Sequence, residues 1–340
     1  MAVNALSIDL EFWWCNEFLN GYLPGDREDM FKESLRPIFA SLDAFNVRAT
    51  FFVLGAVAER YPEVIHDIHR RGHEIACHAY SHKPLYSMDQ REFERELGKS
   101  LELLADYNPV GFRAPSFSLN NRTKWALESL EKYGFQYDSS IFPVRTPLYG
   151  APDAPVGIYR PSRDDVTVHD PGGPIIEFPL SIVRFGVNIP ISGGFYLRSL
   201  PKQVLAWGIG RVAAKRPANI YLHPHDIYPG PPPLKVPFLS RLVTYHGVHT
   251  SLEKLIMLMM KFSFMPIGAL LDEMSLLSPE APVPMAPARP LRGVGGRDDP
   301  AVPTIPAPTL QLQPFDGVRQ RYPARAARPI HETGDPDETL

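Results

Sequence analysis

Cysteine is scarce in this chain. Cys15 and Cys77 are the only two in 340 residues, so no disulfide framework holds the fold together. An excess of charge of one sign is also missing. Thirty-five Lys and Arg stand against 38 Asp and Glu, a formal net charge of −3, which gives no electrostatic reason to expect nucleic acid or an anionic membrane as partner. Long apolar runs are absent as well: Leu255–Met260 is too short to span a bilayer. The residues after Met1 lack the basic region of a secretory signal and meet acidic groups at Asp9 and Glu11, which points to the cytoplasm. No solenoid-type repeat is visible. What remains is a composition, 44% hydrophobic and 21% charged, that buries a core. The length suits one large α/β domain or two ordinary ones.

Residues 5–11 read as a strand that begins almost at the N-terminus. Asp9 and Glu11 are two apart, so an extended strand puts them on one face. Two carboxylates there are costly unless a cation or a proton lies between them. Asp26 to Phe45 carries helical spacing at Phe31, Leu35, Phe39 and Leu42, with Pro37 read as the start of a second helix. Val47–Leu54 reads as a strand buried on both faces, followed by Gly55 and a helix to about Arg71 that Gly72 ends. A third strand, His73–Cys77, leads to His78 and His82; Cys77 is read as a buried small residue and His73 as structural.

Ser87 to Asp106 reads as an amphipathic helix with Ser87 as N-cap, and Val110–Phe112 as a short strand delivering Arg113–Ser118. Asn120 to Tyr133 reads as a helix, followed by Phe135–Ser140. Strand-then-helix repeats four times, which implies a parallel sheet with right-handed crossovers and functional groups at the C-terminal ends of strands. Residues 141–200 read as loops and hairpins over the mouth of a barrel. Glu177–Ser181 leaves them as a strand, and Ile189–Tyr196 is either a wall over the site or a surface turn. Leu200–Ala214 reads as a helix, Ala218–Leu222 as a strand ending at His223-Pro-His-Asp226, and Thr250–Met260 as a helix. Thirteen of the 37 prolines lie from Pro279 onward, where aliphatic patterning stops. A domain at 1–277 and a disordered tail at 278–340 are therefore expected.

His78 and His82 are four apart, read as about one helical turn, which lets two imidazoles reach one cation. A catalytic zinc site needs a third protein ligand and an open position. Each further candidate has a plain structural reading beside the functional one. Arg113 is an ion-pair partner, Asp138 a turn cap, and His223 a core histidine with His225 as the working one.

Six ordered segments then carry a resemblance: Ser7–Glu11, Ala49–Val53, His78–His82, Arg113–Phe117, Tyr137–Ser140 and Leu222-His223. Together they resemble the polysaccharide deacetylases, the NodB-homology or carbohydrate esterase family 4 group, over roughly residues 5–275. Arg113–Phe117 and Pro190–Tyr196 are more similar to the branch found in bacterial exopolysaccharide loci. The resemblance implies a distorted (β/α)7-type barrel with irregular loops over its C-terminal mouth. It also implies a metal-dependent hydrolase that removes acetyl from an N-acetylhexosamine in a glycan or glycan precursor.

In that reading Glu11, His78 and His82 hold a divalent metal, zinc by preference. Asp9 is the general base, and Arg113 keeps it ionised and oriented. His223 protonates the leaving amine, and Asp138 orients His223 and raises its pKa. The oxyanion meets the metal and a backbone N–H near Phe117. Pro115, Gly193, Gly194 and Tyr196 line the substrate. The sequence departs from the family pattern at Glu11, one residue later than the usual second Asp, at Ala79 in place of Ser or Thr, and at Phe117 in place of Tyr. A metal-independent or ureide-type amidohydrolase and an inactive carbohydrate-binding relative are the rival readings.

Overall fold

The first strand, β1 (Asn4–Leu10), is buried along its whole length, as a strand flanked on both edges and both faces must be. Around it the chain alternates strand and helix. In order come α1 (Phe31–Ala44), β2 (Thr50–Val53), α2 (Gly55–Arg60), α3 (Pro62–Arg70), β3 (Glu74–Cys77), α4 (Gln90–Leu104), β4 (Gly111–Phe112), α5 (Ala126–Lys132) and β5 (Tyr137–Asp138). Then follow β6 (Ile176–Glu177), β7 (Ile182–Phe185), β8 (Val187–Pro190), α6 (Gly194–Ser199), α7 (Lys202–Ala213) and β9 (Asn219–Leu222). The last elements are α8 (Phe238–Tyr245), α9 (Val248–Lys261), β10 (Phe264–Met265) and α10 (Ile267–Glu273). This computed structural model describes residues 3–27, 29–146, 149–227 and 230–277. The tail expected to be disordered, 278–340, lies outside the described residues.

The sheet order is β10-β1-β2-β3-β4-β5-β6, with β9 also paired to β1. Every ladder in this sheet is parallel. The strand run from β9 through β1 to β6 is the curled barrel the motif order implied; β10 meets β1 only at Asn4 and Ala5. Among the described residues no ladder joins β6 to β9. The seam is instead stitched around Asn219. Its side-chain amide donates to the Phe178 carbonyl at 2.8 Å and to Ser139 Oγ at 2.9 Å, and its backbone N–H donates to Ser181 Oγ at 2.7 Å. One backbone bond, Ser181 N–H to the Asn219 carbonyl, crosses the same gap.

Inside the barrel, Phe52, Ala76, Tyr137 and Ile176 pack on Ile267, Leu270 and Leu271 of α10, which plugs the end opposite the functional groups. Outside it, α4 and α5 cover β3 and β4 with Phe93, Leu97, Leu101, Leu127 and Leu130 against Cys77 and Phe112. Cys77 is thus the buried small residue expected. His73 is structural too: it is buried, its Nδ1 accepts the Ala49 N–H, and its ring lies beside Phe39 and Phe51.

Several local expectations fail for identifiable reasons. Pro37 lies inside α1 and does not begin a second helix; Phe31, Leu35, Ile38 and Leu42 are buried on one continuous stripe, and that burial outweighs the backbone bond a proline removes. Tyr61-Pro62 splits the helix expected to reach Arg71. Asp89, not Ser87, caps α4, its carboxylate accepting the Glu92 N–H at 2.7 Å. No helix of the described residues is long and apolar enough to cross a membrane.

Candidate active site

β1 delivers Asp9 near its end, and Glu11 follows through a tight turn in which its N–H meets the Asp9 carbonyl. Asp9 is buried and paired with Arg113, Nη1 lying 2.5 Å from Oδ1. The guanidinium is wholly buried in the barrel. Its remaining donors reach Ser7 Oγ at 2.9 Å, the Ser139 carbonyl at 3.0 Å and Ser139 Oγ at 2.8 Å, while its face lies 4.0 Å from the centre of the Phe52 ring. A buried guanidinium with four of its five N–H donors engaged and one carboxylate partner is a fixed charge that orients Asp9.

His78 and His82 follow β3, but not on a helix. The chain turns through left-handed residues at Ala79 (φ 56°) and His82 (φ 62°), so a loop and not a helical turn sets their spacing. That loop is held from two sides. The N–H groups of Gly55 and Ala56, at the start of α2, donate to the Ala79 and Tyr80 carbonyls at 2.8 and 3.0 Å. From α4, Glu96 accepts the Tyr80 and Ser81 N–H groups. Gly55 is obligatory here: a Cβ would sit 2.7 Å from Tyr80 and Ser100.

The trio Glu11, His78 and His82 converges, with one ligand atom from each within 4.8 Å of the others. Glu11 Oε2 lies 2.5 Å from His82 Nε2 and 3.5 Å from His78 Nε2. The nearer contact lacks hydrogen-bond geometry, so the oxygen is a buried acceptor without a donor. His78 Nδ1 lies 2.8 Å from the Arg113 carbonyl, which fixes the tautomer that leaves Nε2 as a lone pair. Burial alone would raise the Glu11 carboxyl, but His82 and His223 outweigh it and hold Glu11 well below its ordinary range. Two imidazole nitrogens and a buried carboxylate, with one tautomer fixed, fit a divalent cation of the zinc type.

His223 follows β9. Its Nε2 lies 3.9 Å from Asp9 Oδ2 and 3.9 Å from Glu11 Oε1, so the expected acid faces the expected base. His225 stacks behind it, ring centroids 4.7 Å apart, with Nδ1 buried and unpartnered. His223 therefore occupies the position facing the carboxylates. Burial lowers the His223 pKa, but the carboxylates of Glu11, Asp226 and Asp9 together raise it to about 9.

The residue that orients His223 is Asp226, not Asp138. Asp226 Oδ2 accepts from His223 Nδ1 and from the His223 backbone N–H, each at 2.8 Å. Arg198 Nε secures the other oxygen at 2.7 Å. Arg198 itself is buried and also bonds the carbonyls of Val243, Thr244 and His246. Burial would raise the Asp226 carboxyl, yet Arg198 and His223 keep it far below the usual range. Sequence reasoning missed both roles. A capping Asp three residues after His223 was the available signal for Asp226; for Arg198 there was none.

Asp138 fails as the orienter because of strand parity. Tyr137 points into the barrel, its hydroxyl on Glu74, so Asp138 points outward. There it pairs with Glu177, its register partner on β6. Ser140 Oγ donates to Asp138 and accepts the Ala114 N–H, and Glu177 Oε1 accepts the Ile141 N–H. Asp138 Oδ2 and Glu177 Oε2 are both buried without another donor, so the two acids share a proton. Burial raises the Asp138 carboxyl to about 6, and burial with the Asp138 charge raises Glu177 well above its usual range.

The folded state thus keeps a proton that the unfolded chain releases above about pH 4. The pair's contribution is full below about pH 4, where the unfolded chain is protonated too, and is lost progressively as pH rises from there through the raised folded values. Glu177→Gln supplies a permanent donor in place of that proton. Thermal melts between about pH 5 and 8 should show a falling Tm for the native protein and a flatter profile for Glu177→Gln. Parallel profiles would sink the shared proton.

The remaining predicted residues divide. Phe117 and Pro115 lie in the loop after Arg113, where Ser116 and Phe117 are both left-handed. The Phe117 N–H itself donates to the Ala114 carbonyl at 3.1 Å and is engaged in the turn. Gly193 and Gly194 back the acid; they do not line an open face. A Cβ on Gly194 would sit 1.8 Å from Asp226 Oδ2, and one on Gly193 would strike Tyr221. Tyr196 packs edge-on against Phe142 in the aromatic cluster that includes Phe117 and Tyr221.

A parallel barrel with a buried histidine–carboxylate centre at its mouth is the class that fold and site define. Residues 26–137 match the family described as Polysaccharide deacetylase, and 139–272 match a domain of unknown function, DUF3473. The likeness to the polysaccharide deacetylases thus covers residues 26–137. The first match takes in the His78–His82 pair and Arg113; β1 precedes it and His223 falls within the second. The peptidoglycan-N-acetylglucosamine deacetylase of Bacillus cereus is 39% identical over 95 residues, 27% of this chain and 34% of that protein. The peptidoglycan deacetylase of Helicobacter pylori is 36% identical over 100 residues, 28% of this chain and 33% of that one. The matched regions thus span about a third of these relatives' length. A crystal structure of a Mycobacterium smegmatis protein assigned to the polysaccharide deacetylases shares the fold, with TM-score 0.52 and 20% identity over 82% of this chain and 92% of that one.

Proposed function

We propose that the protein is a metal-dependent hydrolase that removes the N-acetyl group from an N-acetylhexosamine within a glycan or glycan precursor. The observation that carries this reading is the meeting of Asp9 and His223 across 3.9 Å, directly beside the Glu11–His78–His82 trio. A base, an acid and three metal-type donors, from three separate stretches of chain, are the set that amide hydrolysis needs. The relatives named as peptidoglycan deacetylases supply the substrate class.

Glu11, His78 and His82 would hold the cation, zinc by its donor set. When bound it would polarise the amide carbonyl and make water acidic enough to attack at neutral pH. Asp9 accepts the proton from the attacking water through Oδ2, because Arg113 holds Oδ1. His223, protonated beside Asp226, delivers a proton to the departing amine and so prevents its re-attack. Arg113 and Asp226 act by positioning: each fixes one member of the base–acid pair. Membership of the exopolysaccharide-locus branch is likewise proposed, on Arg113–Phe117 and Pro190–Tyr196.

The test is acetate release from a panel of acetylated sugars and lipid-linked precursors, with zinc, with cobalt and with neither. Chelation should abolish release and zinc should restore it; His78→Ala should bind less zinc and not be rescued. Full turnover by the chelated protein would overturn the metal-dependent reading.

A further inference from the structure

Between Glu177 and Asp226 the sequence holds no acidic residue, yet it holds six basic ones: Arg184, Arg198, Lys202, Arg211, Lys215 and Arg216. The balanced totals of the whole chain conceal this local excess. Arg198 is paired with Asp226 and Lys202 with Glu253; among the described residues the other four pair with no carboxylate. The same stretch leaves large apolar side chains open. In the β7–β8 hairpin the register sets Phe185 opposite Val187 and Val183 opposite Ile189, all on one face. Val183 is buried at the base, but Phe185, Val187 and Ile189 are 72%, 67% and 42% accessible. The hairpin is anchored, because Asn188 Nδ2 donates to the Pro143 and Pro152 carbonyls at 2.7 and 3.1 Å. α7 packs beside it: a Cβ on Gly208 would sit 3.0 Å from Ile191, and Arg216 Nη2 donates to the Ile182 carbonyl at 3.2 Å. The outward row of α7 is Val204, Trp207, Arg211 and Lys215, all exposed at helical spacing, with the Arg211 guanidinium 5.9 Å from the Trp207 ring.

We propose that the β7–β8 hairpin and α7 together dock the chain on an anionic lipid surface. The proposal does not depend on the deacetylase reading. Apolar side chains left open together on neighbouring elements mark a site of interaction. A lipid interface suits this set: aliphatic and Phe side chains enter the acyl boundary, Trp rests at headgroup level, and Lys and Arg meet the phosphates. The missing carboxylates decide between lipid and a second copy of the chain. A two-fold pair would set this patch against itself, four unpaired cations facing four. A negative bilayer surface instead neutralises all of them. The patch also lies close to the centre in sequence. Gly194, four residues after Pro190 at the end of the hairpin, sits directly against Asp226. A docked chain thus holds the wall behind His223 near the lipid.

The experiment is co-sedimentation of the full chain with vesicles of phosphatidylcholine alone and of phosphatidylcholine with about 30% phosphatidylglycerol. The chain should pellet with the anionic vesicles, and less so as salt rises. Each basic side chain near such a surface is worth about fivefold in affinity. Arg184→Gln/Arg211→Gln/Lys215→Gln should therefore weaken binding at least about tenfold. Phe185→Ser/Trp207→Ala should weaken it to a similar degree. Arg91→Gln/Arg95→Gln/Arg122→Gln removes the same charge at exposed positions elsewhere and should bind as the native chain does. All the substituted positions are exposed, so melting curves should match the native one and separate lost docking from lost folding. No pelleting with anionic vesicles, or an equal loss in the Arg91, Arg95 and Arg122 variant, would overturn the proposal. So would a lipid-free dimer in sedimentation velocity that Phe185→Ser/Trp207→Ala splits while vesicle binding is absent; that result would assign the patch to a second copy.

Discussion

Asp9→Asn should lower kcat by about 10²–10⁴-fold, the range expected for loss of a general base. It should also destabilise the fold by about 3–5 kcal/mol, because it leaves a buried charge without its partner. The second effect follows from the setting of Arg113, which has no access to water and, among the described residues, pairs with no carboxylate but Asp9. The two effects separate in Asp9→Asn/Arg113→Met. Methionine fills space against Phe52 without charge, so Tm should recover while turnover stays lost. Activity of Asp9→Asn within tenfold of the native protein would remove Asp9 from the mechanism. Failure of the double variant to regain stability would show that Arg113 matters for its bonds to Ser7 and Ser139 more than for its charge.

Asp226→Asn should cost about 100-fold in kcat at neutral pH and move the alkaline limb of the profile downward. The sign follows from His223. Burial pulls its pKa down, and the carboxylates of Glu11, Asp226 and Asp9 together raise it to about 9. A general acid must be protonated, so activity falls as pH rises through that value. Removing one of the three charges lowers the value, and the loss begins at lower pH. A cation on Glu11 offsets part of that residue's share, which makes Asp226 the more decisive partner in the loaded protein. The measurement is kcat against pH for both proteins. An unmoved alkaline limb would mean that Asp226 is a structural cap for the turn after β9 and nothing more.

What could be read from the sequence and what could not differ in range. Strand positions such as those within Val47–Leu54 and Ala218–Leu222 were legible, though a few residues too long in the first, because apolar runs bounded by turn residues have few other uses. The convergence of Glu11, His78, His82 and His223 was legible from the ordered motifs, because each side chain follows a strand end, where parallel topology gathers them. Asp138 was misread because a two-residue strand carries no period from which to infer its face; only the Tyr137–Glu74 bond decides it. Arg198 was invisible because three of its partners are carbonyls some 45 residues away, and carbonyls carry no side-chain signature. Pro37 was misplaced because local backbone preference was weighed without the buried stripe that keeps α1 continuous.

The join between β6 and β9 has a mechanical consequence. A hoop closed by ladders all round shares strain evenly, but here one asparagine amide acts as the clasp. Breathing of the barrel should concentrate along Phe178–Ser181, and deuterium uptake there should outpace that in β1 and β2. Asn219→Ala should unfasten it: uptake would spread to the end of β9, and His223, carried on that strand, would drift from Asp9 before the rest of the molecule melts.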